Sequence, residues 1–351
     1  MKTIKSPFTG GVAVLKQRPA QEKFRGETFD IQELYYECMD TGKEVDNTAT
    51  AELNAQQVYN LYRTRHHIPF PEEIRRIREQ YGLSAAKMSE VLDFGINSYR
   101  NYEKEGDKEK TGEQAESETH QPIIPTPANG KLIRLAANPV HFQTFVQEKR
   151  SIFSDNAWKK IQERIATLLQ GNEMTPLVQY IWNQDTEANE FTGFIKPSFD
   201  KVAHFVLFFA REAQPLKTRL NKLMFYCDFA HFRKTGFSIS GCNYRAIQMG
   251  PVPSHYHELF GILEAEKYVG IEEELYDHGG IGERFVPGRE FDQSLFSAEE
   301  LDTMREILQT FQDTRTKELI ERSHHEQAWI DNKDQRNLIS YLAYGFRLEG
   351  V

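Results

Sequence analysis

Apolar positions recur every three or four residues through most of the chain, which predicts helices. Short alternating stretches occur near the N-terminus and around residue 285. In residues 1–60, Gly11-Val12-Ala13-Val14-Leu15 and Thr28-Phe29-Asp30-Ile31 read as strands, with turns at Gly10-Gly11 and Thr41-Gly42. Helical spacing begins over 54–65, where Val58, Leu61 and Tyr62 share a face and Asn54 is placed to cap. Pro71, at a first helical position, opens a stripe of Ile74, Ile77 and Tyr81 that Gly82 ends. Ser84 caps a helix over 84–92. Asp93-Phe94-Gly95 reads as a tight turn with Gly95 at positive φ, and 96–103 as the next helix. Residues 105–113 lack apolar side chains, and Pro122, Pro125 and Pro127 follow, the composition of a flexible linker.

Helical spacing returns with Leu132, Leu135, Phe142, Phe145 and Val146. It continues with Trp158, Ile161, Ile165, Leu168 and Leu169 before Gly171. Further helices are expected over 198–214, over 216–234 with a stop at Thr235-Gly236, and over 254–267 with Ser254 as cap. The glycine-rich stretch 276–291, containing Arg284-Phe285-Val286, reads as a small hairpin. Ser297 and Glu300 have capping-box spacing, ahead of a stripe of Leu301, Met304, Ile307, Leu308 and Phe311. The expected fold is mainly α with minor β. Its parts are an N-terminal segment (1–60), a helix-turn-helix domain (61–104), a linker (105–130), a helical connector (131–197) and a large C-terminal domain (198–351).

Composition adds limits. At 351 residues the chain has length for two or three domains of roughly 150 residues each. The net charge of −9 argues against a general basic coat. Residues 63–104 nevertheless carry eight Arg and Lys against six Asp and Glu, so this stretch is +2 and the remainder −11. Three dispersed cysteines, Cys38, Cys227 and Cys242, cannot build a disulfide framework and suit a reducing compartment. The longest apolar run, 202–210, contains His204 and is half of what spans a bilayer. Residues 1–8 lack a signal-peptide core. The expectation is a soluble cytoplasmic protein with no cofactor and no membrane partner.

The candidate chemistry centres on residues 84–103. Two short helices joined by a glycine-containing turn match a helix-turn-helix, whose second helix enters the major groove. Ala86, Val91 and Leu92 are expected to bury the first helix, and Ile96 and Tyr99 the second. Asn97, Ser98, Arg100 and Asn101 then face outward. Asn pairs bidentately with adenine, and Arg with guanine or phosphate. Ser84 and Lys87 are placed for phosphate contact. An ordinary helical bundle with solvated charges is the alternative on spacing alone.

Ile68-Pro69-Phe70-Pro71-Glu72-Glu73-Ile74-Arg75, Gly82-Leu83-Ser84 and Gly95-Ile96-Asn97-Ser98-Tyr99-Arg100-Asn101-Tyr102-Glu103-Lys104 resemble the repressor domain of MqsA-type and Xre-type antitoxins. The resemblance implies that Asn97 reads a base. The MqsA pattern has a basic residue just before Tyr-Glu, where this chain has Asn101, with Arg100 one position earlier. MqsA-type antitoxins also begin with a zinc domain of two Cys-x-x-Cys pairs. Here Ser6-Pro7-Phe8-Thr9-Gly10-Gly11 replaces the first pair, and Cys38 is followed by Thr41 in the second. A degenerate zinc-ribbon-like segment without metal is expected, held by Phe24, Phe29, Leu34 and Tyr35.

The segment from Arg219 to Phe232, then Gly236-Phe237-Ser238-Ile239-Ser240-Gly241, Tyr244-Arg245-Ala246, Gly250-Pro251-Val252-Pro253-Ser254 and Ser323-His324-His325-Glu326-Gln327-Ala328-Trp329, resembles the Panacea (SocA-like) antitoxin domain. The resemblance covers about 198–351 and implies a helical domain that neutralises a cognate toxin. At domain level it points to a toxin-binding surface around Tyr244, Arg245, Gln248, Pro251, Pro253 and His255. Cys227 and His231 have a metal-ligand spacing, but Cys227 lies on the most apolar helix and reads as core. His255, His257 and Glu258, like His324, His325 and Glu326, read as local hydrogen-bonding groups. No phosphate loop, nucleophile elbow or His-Glu-x-x-His is present. The combined expectation is a non-enzymatic antitoxin of a type II toxin-antitoxin system. It would act as a homodimer that neutralises its toxin and represses its own operon on double-stranded operator DNA. A ligand- or phage-responsive regulator without a toxin is the alternative.

Overall fold

The computed structural model describes residues 3–45, 47–104, 122–170, 187–275 and 280–351. Residues 105–121 of the linker expected over 105–130, the stop at Gly171 and residues 276–279 of the expected hairpin lie outside the described residues. Helices dominate and strands are minor, and the chain divides into two units: residues 1–58 with 180–351, and residues 59–179.

The first unit opens with an antiparallel sheet of β1 (Thr3–Lys5), β2 (Val12–Phe24), β3 (Glu27–Cys38) and β4 (Glu44–Val45), in that order. β2 and β3 are much longer than the alternating stretches suggested. Arg25 and Gly26, at φ 50° and 83°, make the tight turn between them. Successive positive φ values match the twist of a two-residue hairpin, and Arg25 hides that signal because glycine and asparagine are the usual occupants. Buried positions on β3 change parity, from Phe29 and Ile31 to Leu34, Tyr36 and Cys38. Tyr36 is therefore in the core. Tyr35, expected there, is only half-buried and lies under the Arg18 guanidinium at 4.5 Å.

α1 (Thr48–Arg65) starts a full turn and a half before the expected helix. Asn47, not Asn54, accepts the first-turn amide, from Thr50 N–H at 2.8 Å. Asn54 is mid-helix and bonds the backbone of Leu34.

The second unit is helical: α2 (Pro71–Glu79), α3 (Ala85–Val91), α4 (Ser98–Tyr102), α5 (Pro127–Ala137), α6 (Pro139–Glu148) and α7 (Asp155–Gln170). Ile74, Ile77, Met88, Val91 and Tyr99 share one core with Ile133, Phe142, Val146, Ile161 and Ile165. Tyr81 stacks on Phe142 at 3.7 Å and donates its hydroxyl to the Ala136 carbonyl at 2.7 Å. The stretch expected as a connector thus supplies half of this core. Its first helix begins at Pro127, inside the expected linker, with Thr126 as cap.

The C-terminal part of the first unit is built on α8 (Phe199–Ala213) and α9 (Lys217–Thr235). Every residue of α9 from Leu220 to Phe232 is buried, so this helix is surrounded rather than amphipathic. Around it lie the hairpin of β5 (Tyr244–Ile247) and β6 (Gly250–Pro253), α10 (Tyr256–Ala265), and the hairpin of β7 (Val269–Leu275) and β8 (Ile281–Pro287). α11 (Ala298–Thr310), α12 (Thr316–His325), α13 (Gln327–Ile330) and α14 (Tyr341–Tyr344) follow. The capping box at Ser297 and Glu300 forms as expected. Ser254 does not cap α10: His255 takes that place at φ 55°, and the buried Ser254 hydroxyl has no hydrogen-bond partner among the described residues. Gly250, at φ 94°, is required where it stands, because a Cβ would come within 2.4 Å of Ser323 Oγ and 2.7 Å of Lys222 Cε.

Candidate functional site

α3 and α4 are fastened by small polar contacts. Ser84 caps α3, accepting from Lys87 N–H at 3.2 Å. The buried Ser89 hydroxyl accepts from Tyr99 N–H at 3.1 Å, and the Ser89 carbonyl accepts from Phe94 N–H at 2.8 Å. Tyr99 is fully buried and donates its hydroxyl to the Ile74 carbonyl at 2.8 Å. Glu103 is buried and takes the Arg78 guanidinium at 2.5 Å and 3.1 Å. The end of α4 is therefore clamped to the helix before α3.

Several local expectations change. The left-handed residue of the turn is Asp93 at φ 56°, not Gly95; its carboxylate pairs with Lys149. Ile96 is 75% exposed rather than an anchor, and α4 begins only at Ser98. Ala86 is exposed, and Met88 with Ser89 takes its place in the interior.

Of the candidate DNA-contacting residues, Asn97 and Arg100 are exposed, and their side chains hold no hydrogen bond or ion pair among the described residues; the Asn97 carbonyl accepts from Asn101 N–H at 3.0 Å. Ser98 and Asn101 are half-buried beside them. Ser84 is exposed, but its hydroxyl is occupied as the cap. The Lys87 ammonium is held by Glu90 at 2.6 Å and the Ile152 carbonyl at 3.2 Å. The charge excess of residues 63–104 is partly internal too, since Arg63 is buried and donates to the Pro69 carbonyl at 2.9 Å.

In the N-terminal sheet, Ser6 donates its hydroxyl to Cys38 Sγ at 3.0 Å, and the Thr9 hydroxyl lies 3.7 Å from that sulfur. Hydrogen bonds from Ser6, Thr41 and Thr9 pull the buried Cys38 thiol down to about 6. One thiol among three neutral hydroxyls does not fit a structural zinc, which wants several thiolate or imidazole ligands.

The C-terminal candidates divide by burial. Tyr244, Pro251 and Pro253 are interior, whereas Arg245, Gln248 and His255 are exposed. The Tyr244 hydroxyl donates at 2.7 Å to the fully buried Asp228 carboxylate. Asp228 also accepts from the backbone N–H groups of Ile239 and Ser240, each at 2.9 Å, and from the Ser240 hydroxyl at 2.5 Å. Burial pushes its carboxyl up while these donors pull it back. This cluster ties the loop after α9 to the helix, a role that no sequence motif announced.

Other polar groups of the domain are similarly enclosed. Lys222 is buried, donates to the Pro251 carbonyl at 2.9 Å, and is driven down to about 7 by burial. Lys201 and Glu300 form a buried ion pair at 2.8 Å. Cys227 is fully buried with its thiol pushed up, and His231 Nδ1 sits 3.2 Å from Thr303 Oγ1. His324 stacks on Trp329 at 4.0 Å, and Glu326 accepts from Glu349 and Gly350 N–H at 3.0 Å and 2.7 Å. Among the described residues there is no group of three or more metal-ligating side chains, and no helix long and apolar enough to cross a membrane.

Neither the curated proteins nor the solved structures contain a match to the chain. The model of one family, described as antitoxin SocA-like, Panacea domain, matches residues 220–330. That span runs from the buried part of α9 through α13, so the C-terminal region is similar to a SocA-like Panacea antitoxin domain.

Proposed function

We propose that this chain is an antitoxin that neutralises a cognate toxin by direct binding through residues 198–351 and represses its own operon through the helix-turn-helix at 84–103. The observation that carries the reading is the Panacea match over 220–330. Arg245, Gln248 and His255 are exposed in that region, available to a protein partner. Cys227, His231 and Glu326, among the polar groups weighed for chemistry, are engaged in packing and internal bonds, which favours binding over catalysis.

The DNA arm is supported by the division of labour on α4. Tyr99 locks the helix from inside, while the side chains of Asn97 and Arg100 are exposed and hold no bond among the described residues, the arrangement base-edge readout needs. Ser98 and Asn101 supply adjacent contacts; Ser84 and Lys87 flank them, with the Ser84 hydroxyl capping α3 and the Lys87 ammonium held by Glu90. A homodimer on a palindromic operator is the natural stoichiometry, since two-fold protein symmetry matches two half-sites.

The test is co-expression with the adjacent reading frame under separate promoters, scored for growth rescue and co-purification, together with a gel shift on the upstream DNA. Rescue with co-purification is expected. A harmless neighbour, or rescue without association, overturns the toxin-binding reading.

A further inference from the structure

β7 and β8 pair in unbroken antiparallel register, with Val269 opposite Pro287, Ile271 opposite Phe285, Glu273 opposite Glu283 and Leu275 opposite Ile281. Side chains alternate across a strand, and paired residues of an antiparallel ladder share a face. These four pairs therefore lie on one face of the hairpin. At its base that face is core: Val269 is 2% exposed and Phe285 0%. At its far end the same face carries Leu275, 79% exposed, and Ile281, 61% exposed. Beyond the Glu273–Glu283 pair this face turns apolar again, with nothing among the described residues covering Leu275 and Ile281. A directly paired Leu and Ile so far out bury little area, and turn ends are normally polar.

Charge selects the occupant. Glu272, Glu273 and Glu274 precede Leu275. Glu274 pairs with Arg284, and Glu283 pairs with Lys217 at 2.6 Å. Glu272 and Glu273, one on each face, are exposed and hold no ion pair among the described residues. A second copy of this acidic chain would set like charges against each other here. A basic partner would neutralise them around an apolar centre, the usual anatomy of a specific interface.

Resting on the toxin-binding reading above, we propose that the toxin docks on this hairpin end, seating an apolar patch on Leu275 and Ile281, with basic side chains that meet Glu273 on the same face and reach round the strand to Glu272 on the other. The experiment uses the full chain co-expressed with the product of the adjacent reading frame. The variants are L275T/I281T, which keeps strand propensity, E272K/E273K, and Q248A/H255A on the other exposed candidate surface. Both hairpin variants should melt as wild type does, because the sites are exposed. Each should bind the neighbour at least about tenfold more weakly, as loss of a central interface contact does. The effect of E272K/E273K should shrink in high salt, and both hairpin variants should weaken binding more than Q248A/H255A does. Wild-type rescue with unimpaired hairpin variants overturns this surface while leaving the antitoxin reading intact. So does loss confined to Q248A/H255A. Failure of the wild type to bind or rescue removes both.

Discussion

The side-chain amide of Asn54 grips both backbone groups of Leu34: its oxygen accepts from Leu34 N–H at 2.8 Å and its nitrogen donates to Leu34 C=O at 2.9 Å. One helical turn on, Gln57 does the same for Gln32, with both bonds at 2.9 Å. Residues three apart on a helix lie roughly 5–6 Å apart, close to the roughly 6.6 Å between alternate residues of a strand. α1 therefore lays two amides along the edge of β3 where β4, only Glu44–Val45, leaves it open. Open strand edges invite pairing with other chains, and these amides close this one.

Asn54→Ala is expected to destabilise the first unit by about 2 kcal/mol, because it removes the partners of two backbone groups at once. N54A/Q57A should lose more and aggregate at lower urea concentrations. Urea titration followed by light scattering checks both outcomes. A double variant with wild-type midpoint and solubility contradicts the edge-closing role.

Asp228 accepts four hydrogen bonds, one from the Tyr244 hydroxyl. Tyr244→Phe should cost about 1–2 kcal/mol, the loss of one buried bond to a charged acceptor. Asp228→Asn should cost about 3 kcal/mol, since an amide nitrogen would face donors. In both, binding to the partner per folded molecule should be unchanged. Thermal melts with pull-down of the neighbouring gene product separate this from a contact role for Tyr244, which would lower binding at full stability.

Much of this was legible in the sequence where local chemistry is decisive. Pro71, Ser84, Ser297 with Glu300, and Gly236 mark helix ends through groups within four residues, and all four hold. What failed depended on remote partners. Asn54 has the chemistry of a cap, but its backbone acceptor is twenty residues back. Tyr35 and Tyr36 are indistinguishable locally, and only the change of buried face on β3 decides between them. Ile96 looked like core by spacing, yet α4 starts two residues later and leaves it outside. Tyr244 and Pro251 were read as surface because motif residues attract functional interpretations; burial against α9 made them structural.

If the proposed helix-turn-helix meets DNA, Asn97 and Arg100 should contribute to binding in different ways. Arg100→Gln should reduce affinity for all sequences, with the slope of log affinity against log salt lowered by about 1 if it meets a phosphate. Asn97→Ala should cost about 1–3 kcal/mol on the operator and little on random DNA. Fluorescence anisotropy across a salt series distinguishes them. Neutralisation of the neighbour should survive both. Operator binding unaffected by N97A/R100A would place the interface elsewhere.

Lys222 makes stability depend on pH in a definite direction. Its folded value is about 7, against 10.5 in the unfolded chain. Between these values the unfolded state binds more protons, so stability rises with pH from about 7 upward. The full span corresponds to about 4–5 kcal/mol, at roughly 1.4 kcal/mol per unit. The buried thiols of Cys227 and Cys242 are pushed up and work in the opposite sense once pH exceeds their ordinary value of 9.0. The Cys38 thiol, pulled down to about 6, adds a rise over pH 6–9 that a substitution at Lys222 leaves in place. The contribution of Lys222 is therefore the difference between wild type and Lys222→Met, measured by urea unfolding from pH 6.5 to 9. Wild type should gain stability more steeply than the variant. At pH 6.5 the variant should match or exceed wild type, because it has no charge to bury, although the Pro251 carbonyl loses its donor. Parallel profiles would mean that the Lys222 ammonium stays charged in the interior.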